Sequence, residues 1–328
     1  GFQSLYYNTA DYNTAVGSLS LHSNTTASNN TAVGYQAGYS NTIGGSLTVV
    51  GRQALYANTS GSFLAAFGDS TLGANTTGSR NSAFGISALQ SNTTASDNTA
   101  VGYQAGYSNT TGTQNTLIGS LAGDALTTSG RNVAIGYAAL SSEQLGLYSV
   151  AIGYSALSSQ VNGSAVTTYN TAIGYAAGSV INTGTNNTLI GGLAGDAITS
   201  GGANVAVGTS ALSANTTASD NTAVGYQSLL ANTTGANNVA IGKTSLLANT
   251  TASDNVAVGE QSMKANTTGA QNTAVGQNAL QANTTANYNT AVGRSSLYYN
   301  TIGAQNVAIG TYALENNTTA SNNTAVGY

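Results

Sequence analysis

The fold is decided by residues 98–102, which read Asn-Thr-Ala-Val-Gly and recur with small changes throughout the chain. Seventeen residues later, residues 115–119 read Asn-Thr-Leu-Ile-Gly. The closing Gly is found twenty times, and seventeen of the nineteen intervals between these Gly residues are 17 residues long. The first interval is one residue shorter, and a four-residue insertion falls within residues 154–173. This short period predicts one repeat array of nineteen coils over residues 1–328.

The composition excludes several classes of protein. Six Lys and Arg and ten Asp and Glu make up only 5% of the chain, against about 25% in ordinary domains. Without Cys, and with His22 as the one His, disulfide frameworks and multi-His or Cys metal sites are excluded, so no cofactor is expected. A net charge of −4 disfavours nucleic acid as a partner. No apolar run is long enough for a membrane span in this segment.

The coil is numbered from the residue after each recurring Gly, so that this Gly is position 17. Positions 13 to 16 are predicted to form a short strand, and the Gly bends the chain. Positions 1 to 5 are predicted to form a second strand, and Asn-Thr-Thr at positions 7 to 9 suits a turn. The sequence therefore predicts an all-β parallel β-solenoid of 17-residue coils. At about 4.8 Å per coil, nineteen coils would stack to roughly 90 Å.

Stacking places like residues above one another, which explains the scarcity of charge. A charged position would repeat its charge every ~4.8 Å and repel itself, whereas stacked amides can hydrogen-bond along a ladder. Position 13 is Asn in sixteen of nineteen coils and is the predicted structural ladder. Its members include Asn30, Asn98, Asn115, Asn132, Asn221 and Asn238.

The strand is apolar on both faces, which is typical of strands buried on both sides. Position 16 is Val, Ile or Phe in every coil and is predicted to stack in buried rows, with members such as Val33, Val101, Ile135, Val224 and Ile241. Position 15 is mostly Ala, and its small size would allow a neighbouring chain to approach closely. We therefore expect an oligomer of this chain, with the strand lining its central axis.

The motif resembles a known family. Residues 132–136 and 306–310 read Asn-Val-Ala-Ile-Gly, which is similar to the head repeats of trimeric autotransporter adhesins and to repeats in bacteriophage tail fibres. The resemblance implies a left-handed β-roll, a homotrimer, an adhesive or spacer role without catalysis, and display on a cell or virion surface. An adhesive role needs a host or surface receptor, and glycans are one candidate because Tyr often follows the recurring Gly, as in Tyr35 and Tyr103, and could stack on sugars; the alternative is that these Tyr residues cover the coil edge. The 17-residue period and the Asn-Thr-Thr turn depart from the family pattern.

The Asn-Thr-Thr turns are also Asn-x-Ser/Thr sequons. Possible glycosylation sites are therefore Asn24, Asn75, Asn92, Asn109, Asn215, Asn232, Asn249, Asn266 and Asn283. The alternative is that the sequon is a by-product of turn chemistry.

The remaining polar residues do not indicate an enzyme. Asp97, Asp220 and Asp254 share position 12, but neighbouring coils supply no second carboxylate there for glycoside hydrolysis. Asp124 and Asp196 are similarly isolated, and His22 is expected to be solvated. The insertion suits either a binding loop or a tolerated bulge.

Three functions are compatible with these observations. The first is a structural and adhesive extracellular fibre, or the shaft of a phage tail fibre. The second is an ice-binding or other surface-binding solenoid, because Thr repeats in each coil, although adjacent Thr residues face opposite sides. The third, a polysaccharide-degrading tail spike, lacks clustered carboxylates. Since neither end carries an atypical capping unit, we expect the array to continue in a longer chain.

Overall fold

The computed structural model describes residues 1–162, 164 and 166–328. The insertion predicted within residues 154–173 includes Gly163 and Ala165, which lie outside the described residues. The chain divides into two compact units, Gly1–Tyr169 (unit 1) and Asn170–Tyr328 (unit 2), and each is described by itself. The described residues form short strands joined by turns, bends and irregular segments, and none of them is helical.

Nearly all the strands have three residues. Unit 1 contains β1 (Thr14–Val16), β2 (Thr31–Val33), β3 (Leu47–Val50), β4 (Leu64–Phe67), β5 (Ser82–Phe84), β6 (Thr99–Val101), β7 (Thr116–Ile118), β8 (Val133–Ile135) and β9 (Val150–Ile152). Unit 2 contains β10 (Thr171–Ile173), β11 (Thr188–Ile190), β12 (Val205–Val207), β13 (Thr222–Val224), β14 (Val239–Ile241), β15 (Val256–Val258), β16 (Thr273–Val275), β17 (Thr290–Val292), β18 (Val307–Ile309) and β19 (Thr324–Val326).

Within each unit, consecutive strands pair in parallel with a shift of one repeat. In unit 1, Ala100 of β6 lies opposite Leu117 of β7. In unit 2, Val239 of β14 lies opposite Val256 of β15. The same 17-residue register holds for the other pairs within each unit. The predicted parallel β-solenoid of 17-residue coils is confirmed, and like residues stack on like residues.

The second strand predicted at positions 1 to 5 is wrong. These residues form turns, in which positions 2 and 4 take left-handed backbone angles, as in Gln36 (φ 54°) and Gly38 (φ 62°). The physical reason is that positions 3 and 4 both face inward, as Ala54 and Leu55 do, both fully buried. Successive residues of a strand point to opposite faces, so a strand could not bury both. The turn still binds the next coil, since the Gly38 N–H donates to the Ala54 carbonyl at 2.9 Å.

The orientation predicted for positions 15 and 16 is reversed. The Ala row at position 15 is inside the coil, as shown by the fully buried Ala100, Ala134 and Ala240. Position 16 points outward. The reason is the two-residue period of a strand: position 13 is buried, so position 15 shares its inner face and position 16 lies on the outer one. The Ala row at position 15, which was expected to contact a neighbouring chain, therefore lies in the interior of each coil.

The recurring Gly at position 17 is required by the stacking. Gly191, for example, has φ of +136°, a region that residues with a side chain rarely adopt. A Cβ added there would lie 2.6 Å from the carbonyl oxygen of Gly208, the equivalent residue of the next coil. The coils can approach this closely only without a side chain at position 17.

Inside the coil, large and small residues compensate for each other. Position 4 is usually a buried Leu, such as Leu89. Where it is Gly, other side chains fill the space: a Cβ on Gly123 would lie 2.8 Å from the side chains of both Leu117 and Leu126. Interiors pack at crystal-like density, so the volume at position 4 is coupled to that at positions 7 and 15.

Candidate functional surface

The predicted Asn ladder at position 13 lies inside the coil and joins each coil to the next. The backbone N–H of Asn115 donates to the side-chain oxygen of Asn98 at 2.9 Å. The Asn98 amide nitrogen donates to the carbonyl of Gly112, one coil later, also at 2.9 Å. The structure places all six predicted members, Asn30, Asn98, Asn115, Asn132, Asn221 and Asn238, in this arrangement, at most 1% exposed.

A second Asn ladder, at position 7, was missed by the sequence analysis. Asn58 donates to the side-chain oxygen of Asn41 at 2.8 Å, and Asn75 donates to Asn58 at the same distance. Each amide also donates to the backbone carbonyl of the residue at position 10 in the same coil, as Asn58 does to Gly61 at 2.9 Å. The signal is the recurrence of Asn-Thr-Thr, which is as regular as that of Asn-Thr-Ala. Turn propensity alone does not show that this Asn faces the interior.

All nine possible glycosylation sites belong to this second ladder, and each of them is fully buried. In Asn249, for example, the side-chain nitrogen donates to Asn232 at 2.9 Å and to the Ala252 carbonyl at 3.0 Å. A glycan would be attached to this same nitrogen, for which the folded coil has no space. The nine sequons, Asn24, Asn75, Asn92, Asn109, Asn215, Asn232, Asn249, Asn266 and Asn283, are therefore part of the core in this fold.

A buried carboxylate takes the place of Asn at position 7 in one coil of unit 1. Glu143 Oε1 accepts hydrogen bonds from the backbone N–H groups of Gln144, Leu145 and Gly146 at 2.7–2.9 Å. Its Oε2 accepts from the side chains of Gln160 (2.8 Å) and Asn162 (2.7 Å). Both oxygens of this buried side chain therefore have hydrogen-bond partners, as burial of a polar group requires.

Position 16 forms an exposed apolar row on the outer face of each unit. Val33, Val101 and Ile241 are 37–39% exposed, and Ile135 and Val224 are half-buried. Tyr residues at position 1 lie beside this row in several coils and are about half exposed: Tyr35, Tyr103, Tyr137, Tyr154, Tyr175 and Tyr226. An apolar row that is exposed to solvent is typical of an interaction site. In a single chain this row is not buried, contrary to the sequence-based expectation.

Charged side chains pair with the equivalent position of the adjacent coil. Arg52 contacts Asp69 at 2.8 Å, Arg80 contacts Asp97 at 2.6 Å, and Lys243 contacts Glu260 at 3.7 Å. The hydrogen bond from the Arg80 guanidinium holds the pKa of the Asp97 carboxyl below its usual range. Stacking therefore favours opposite charges one coil apart, as it disfavours like charges. Asp220 and Asp254, at the same position as Asp97, are exposed.

Asp124 and Asp196 occupy the same position, number 5, in units 1 and 2. Burial raises the pKa of both carboxyls, because the charged form loses contact with water. In each, Oδ1 is buried without a hydrogen-bond partner among the described residues.

Position 5 carries an aromatic stack in the first coils of unit 1. His22 lies between Tyr6 and Tyr39, with ring centroids 5.6 Å and 5.0 Å away and planes within 10° of parallel. Tyr56 continues the stack at 5.2 Å from Tyr39. The expectation that His22 is simply solvated is wrong, because one-coil stacking brings position 5 rings face to face.

No cluster of three or more His, Cys, Asp or Glu side chains suited to a metal ion occurs in the described ranges. The same ranges contain no helix that could span a membrane. No family model, curated protein or solved structure matches the chain.

Proposed function

We propose that the chain forms part of an extracellular structural and adhesive fibre on a cell or virion surface, in which three copies pack side by side. The proposal is supported mainly by the exposed Val/Ile row at position 16. Where a row side chain is more than a third exposed, as in Val33, Val101 and Ile241, covering that part would contribute about 0.5–1 kcal/mol per coil and copy. Summed over consecutive coils, this gives a long apolar contact without any single dominant residue.

In this assembly the copies meet at a different row of side chains from the one that the sequence suggested. The Ala row packs inside each coil, so the neighbouring copies would meet at the Val/Ile row instead. In a closed ring, each copy presents one surface to one neighbour and a second surface to the other. The Tyr residues at position 1 flank the row and would extend that contact. The motif's similarity to adhesin and tail-fibre repeats, which gave the homotrimer, supports the same assembly.

The adhesive role is tested with beads coated with the purified chain. Repeated weak contacts add through avidity, so coated beads should be retained on their target surface more strongly than albumin-coated beads. Retention on animal cells or their matrix would support an adhesin, and retention on bacterial cells would support a phage tail-fibre shaft. Equal retention of coated and albumin-coated beads on all of these surfaces would contradict both.

Ice binding has less support. Thr25 at position 8 donates its hydroxyl to the Thr42 carbonyl at 3.0 Å, while Thr26 at position 9 is exposed. The Asn-Thr-Thr turn thus offers one open row of Thr hydroxyls rather than a flat double row.

A further inference from the structure

The aromatic stack of unit 1 ends at an unfilled layer. Tyr56 stacks on Tyr39 through one face of its ring, with planes 7° apart. In the next coil the equivalent position is Gly73, which has no side chain, and one coil further it is Gln90. The result is an open slot that has Tyr56 on one side, Gln90 on the other, and Gly73 and Ala74 between them.

The dimensions of the slot suit one ring. Adjacent coils are about 4.8 Å apart, so the Tyr56 and Gln90 layers are about 9.6 Å apart. Carbon atoms in contact are about 3.5–4.0 Å apart, so a single ring fits between the two layers. A bound ring would take the place of the missing rung, at the spacing with which Tyr56 already stacks on Tyr39.

The polar groups at the slot distinguish between possible rings. Among the described residues, the Gln90 amide and the Ser91 hydroxyl make no side-chain hydrogen bond to the protein. The Gln53 amide, in contrast, donates to Gln36 at 3.0 Å and accepts from Arg52 at 3.2 Å. The slot therefore offers an apolar aromatic face and a free amide and hydroxyl at its edge.

We propose that this slot binds a hexopyranose unit of a surface glycan. A pyranose has a face of C–H groups, which carry partial positive charge and match the negative face of the Tyr56 ring. Its hydroxyl groups lie at the ring edge, where the Gln90 amide and the Ser91 hydroxyl can bind them. This assignment rests on the adhesive role proposed above and gives it a ligand class.

Gly73 allows a direct test, because its backbone can carry a side chain. Its φ lies outside the left-handed region, and an added Cβ would have its nearest contact at 3.1 Å, with the Ser70 carbonyl oxygen. Gly73→Tyr should therefore continue the stack and fill the slot, after a shift of a few tenths of an ångström. Tyr56→Ala removes the ring face, and Gln90→Ala removes the edge amide. Tyr107→Ala is the matched control, since Tyr107 occupies position 5 outside the slot.

The probes are the methyl pyranosides of glucose, galactose, mannose and N-acetylglucosamine, measured on the full chain by saturation-transfer NMR and titration. We expect transfer to ring C–H protons of at least one probe, about tenfold weaker binding in Tyr56→Ala and Gly73→Tyr, and unchanged binding in Tyr107→Ala. Absence of transfer with all four probes, or binding that survives Gly73→Tyr, would overturn the proposal. A changed circular-dichroism spectrum of Gly73→Tyr would mean that this variant is misfolded. In that case Gln90→Ala decides, and wild-type affinity of Gln90→Ala for the probes would overturn the proposal. Since the mass of the assembly is measured separately, failure here leaves the fibre intact.

Discussion

Asn41 donates a side-chain hydrogen bond to the side-chain oxygen of Asn24, one coil earlier, at 2.8 Å. Its nitrogen also donates to the carbonyl of Gly44 at 2.9 Å, and the same carbonyl accepts from Asn30 at 3.1 Å. The position 10 carbonyl thus joins the two Asn ladders here, as the Ala252 carbonyl does by accepting from Asn238 and Asn249. Amides satisfy both donors and acceptors inside a stack where charged groups would repel, so the core is held by polar groups as well as by Leu and Ala.

Asn249→Asp tests the position 7 ladder. The change keeps the shape of the side chain but removes the donors to Asn232 and to the Ala252 carbonyl. Each buried group left without a partner costs about 1–3 kcal/mol, so the free energy of unfolding should fall by at least that amount in urea denaturation. Thr251→Ser, on the exposed row of the same turn, is the control and should change it by less than about 0.5 kcal/mol. Equal stability of the two variants would refute an interior ladder.

Gly191→Ala and Gly192→Ala test the close approach of the coils at neighbouring residues. At Gly191 the backbone is left-handed and a Cβ would clash with Gly208, whereas at Gly192 no atom lies within 4 Å of the new Cβ. The first variant should lose at least about 2 kcal/mol of stability, and the second should be neutral. The comparison is made by thermal and urea unfolding, and similar curves for the two variants would contradict the stacking geometry.

Asp124→Asn and Asp196→Asn test the pH dependence of the half-buried carboxyls. Burial raises the folded pKa above the unfolded value, so the acid form is favoured by folding. The stability it contributes is fully present below the unfolded pKa of about 3.9 and is lost as the pH rises through the folded value. Both variants should therefore be more stable than the wild type at pH 7, by less than about 1 kcal/mol because the sites are partly solvated.

The check is urea unfolding of each variant and of the wild type at pH 3 and pH 7. The advantage of the Asn variants should shrink at pH 3, where the wild-type carboxyls are protonated. Asp220→Asn, at an exposed position, is the matched control. An advantage that grew on acidification would show that the sign of the shift is wrong.

The combined variant Val224→Lys, Ile241→Glu and Val258→Lys tests the outer row. These residues stack in register, so the alternating charges pair along the chain, as Lys243 and Glu260 do, and avoid repulsion within one copy. We expect the assembly to dissociate while the circular-dichroism spectrum is kept, because charges would replace the apolar contact. The control is Thr217→Lys, Thr234→Glu and Thr251→Lys, on the exposed position 9 row. Dissociation in both variants, or in neither, would count against the proposed interface.

Much of the fold could be predicted from the period. The 17-residue spacing, the strand that ends at Val101 and the Asn98 ladder follow from stacking like residues, which depends on the sequence pattern alone. The Asn ladder also indicates which face of the strand is buried, because Asn98 and Ala100 are two residues apart and must share a face. Apolar size alone indicates the opposite side, which is why the prediction from size was wrong.

The rest depends on tertiary structure. Positions 3 and 4 both face inward, as in Ala88 and Leu89, and only the left-handed angles of the turn allow this. Few residues with a side chain favour those angles in isolation, so propensity could not indicate them. The slot beside Tyr56 exists because position 5 of the next coil is Gly73. This neighbour can be identified only when the stacking register is known. His22 illustrates the same point, since its stacking partners are 16 and 17 residues distant.

In the proposed assembly, three copies of this solenoid associate through their outer Val/Ile rows. The most direct test is the mass of the purified chain in solution, measured by sedimentation velocity and equilibrium at neutral pH. We expect a stable species of three times the 32.5 kDa chain mass. A folded, soluble species of 32.5 kDa across the accessible concentration range would contradict it, because the apolar row would then remain in water.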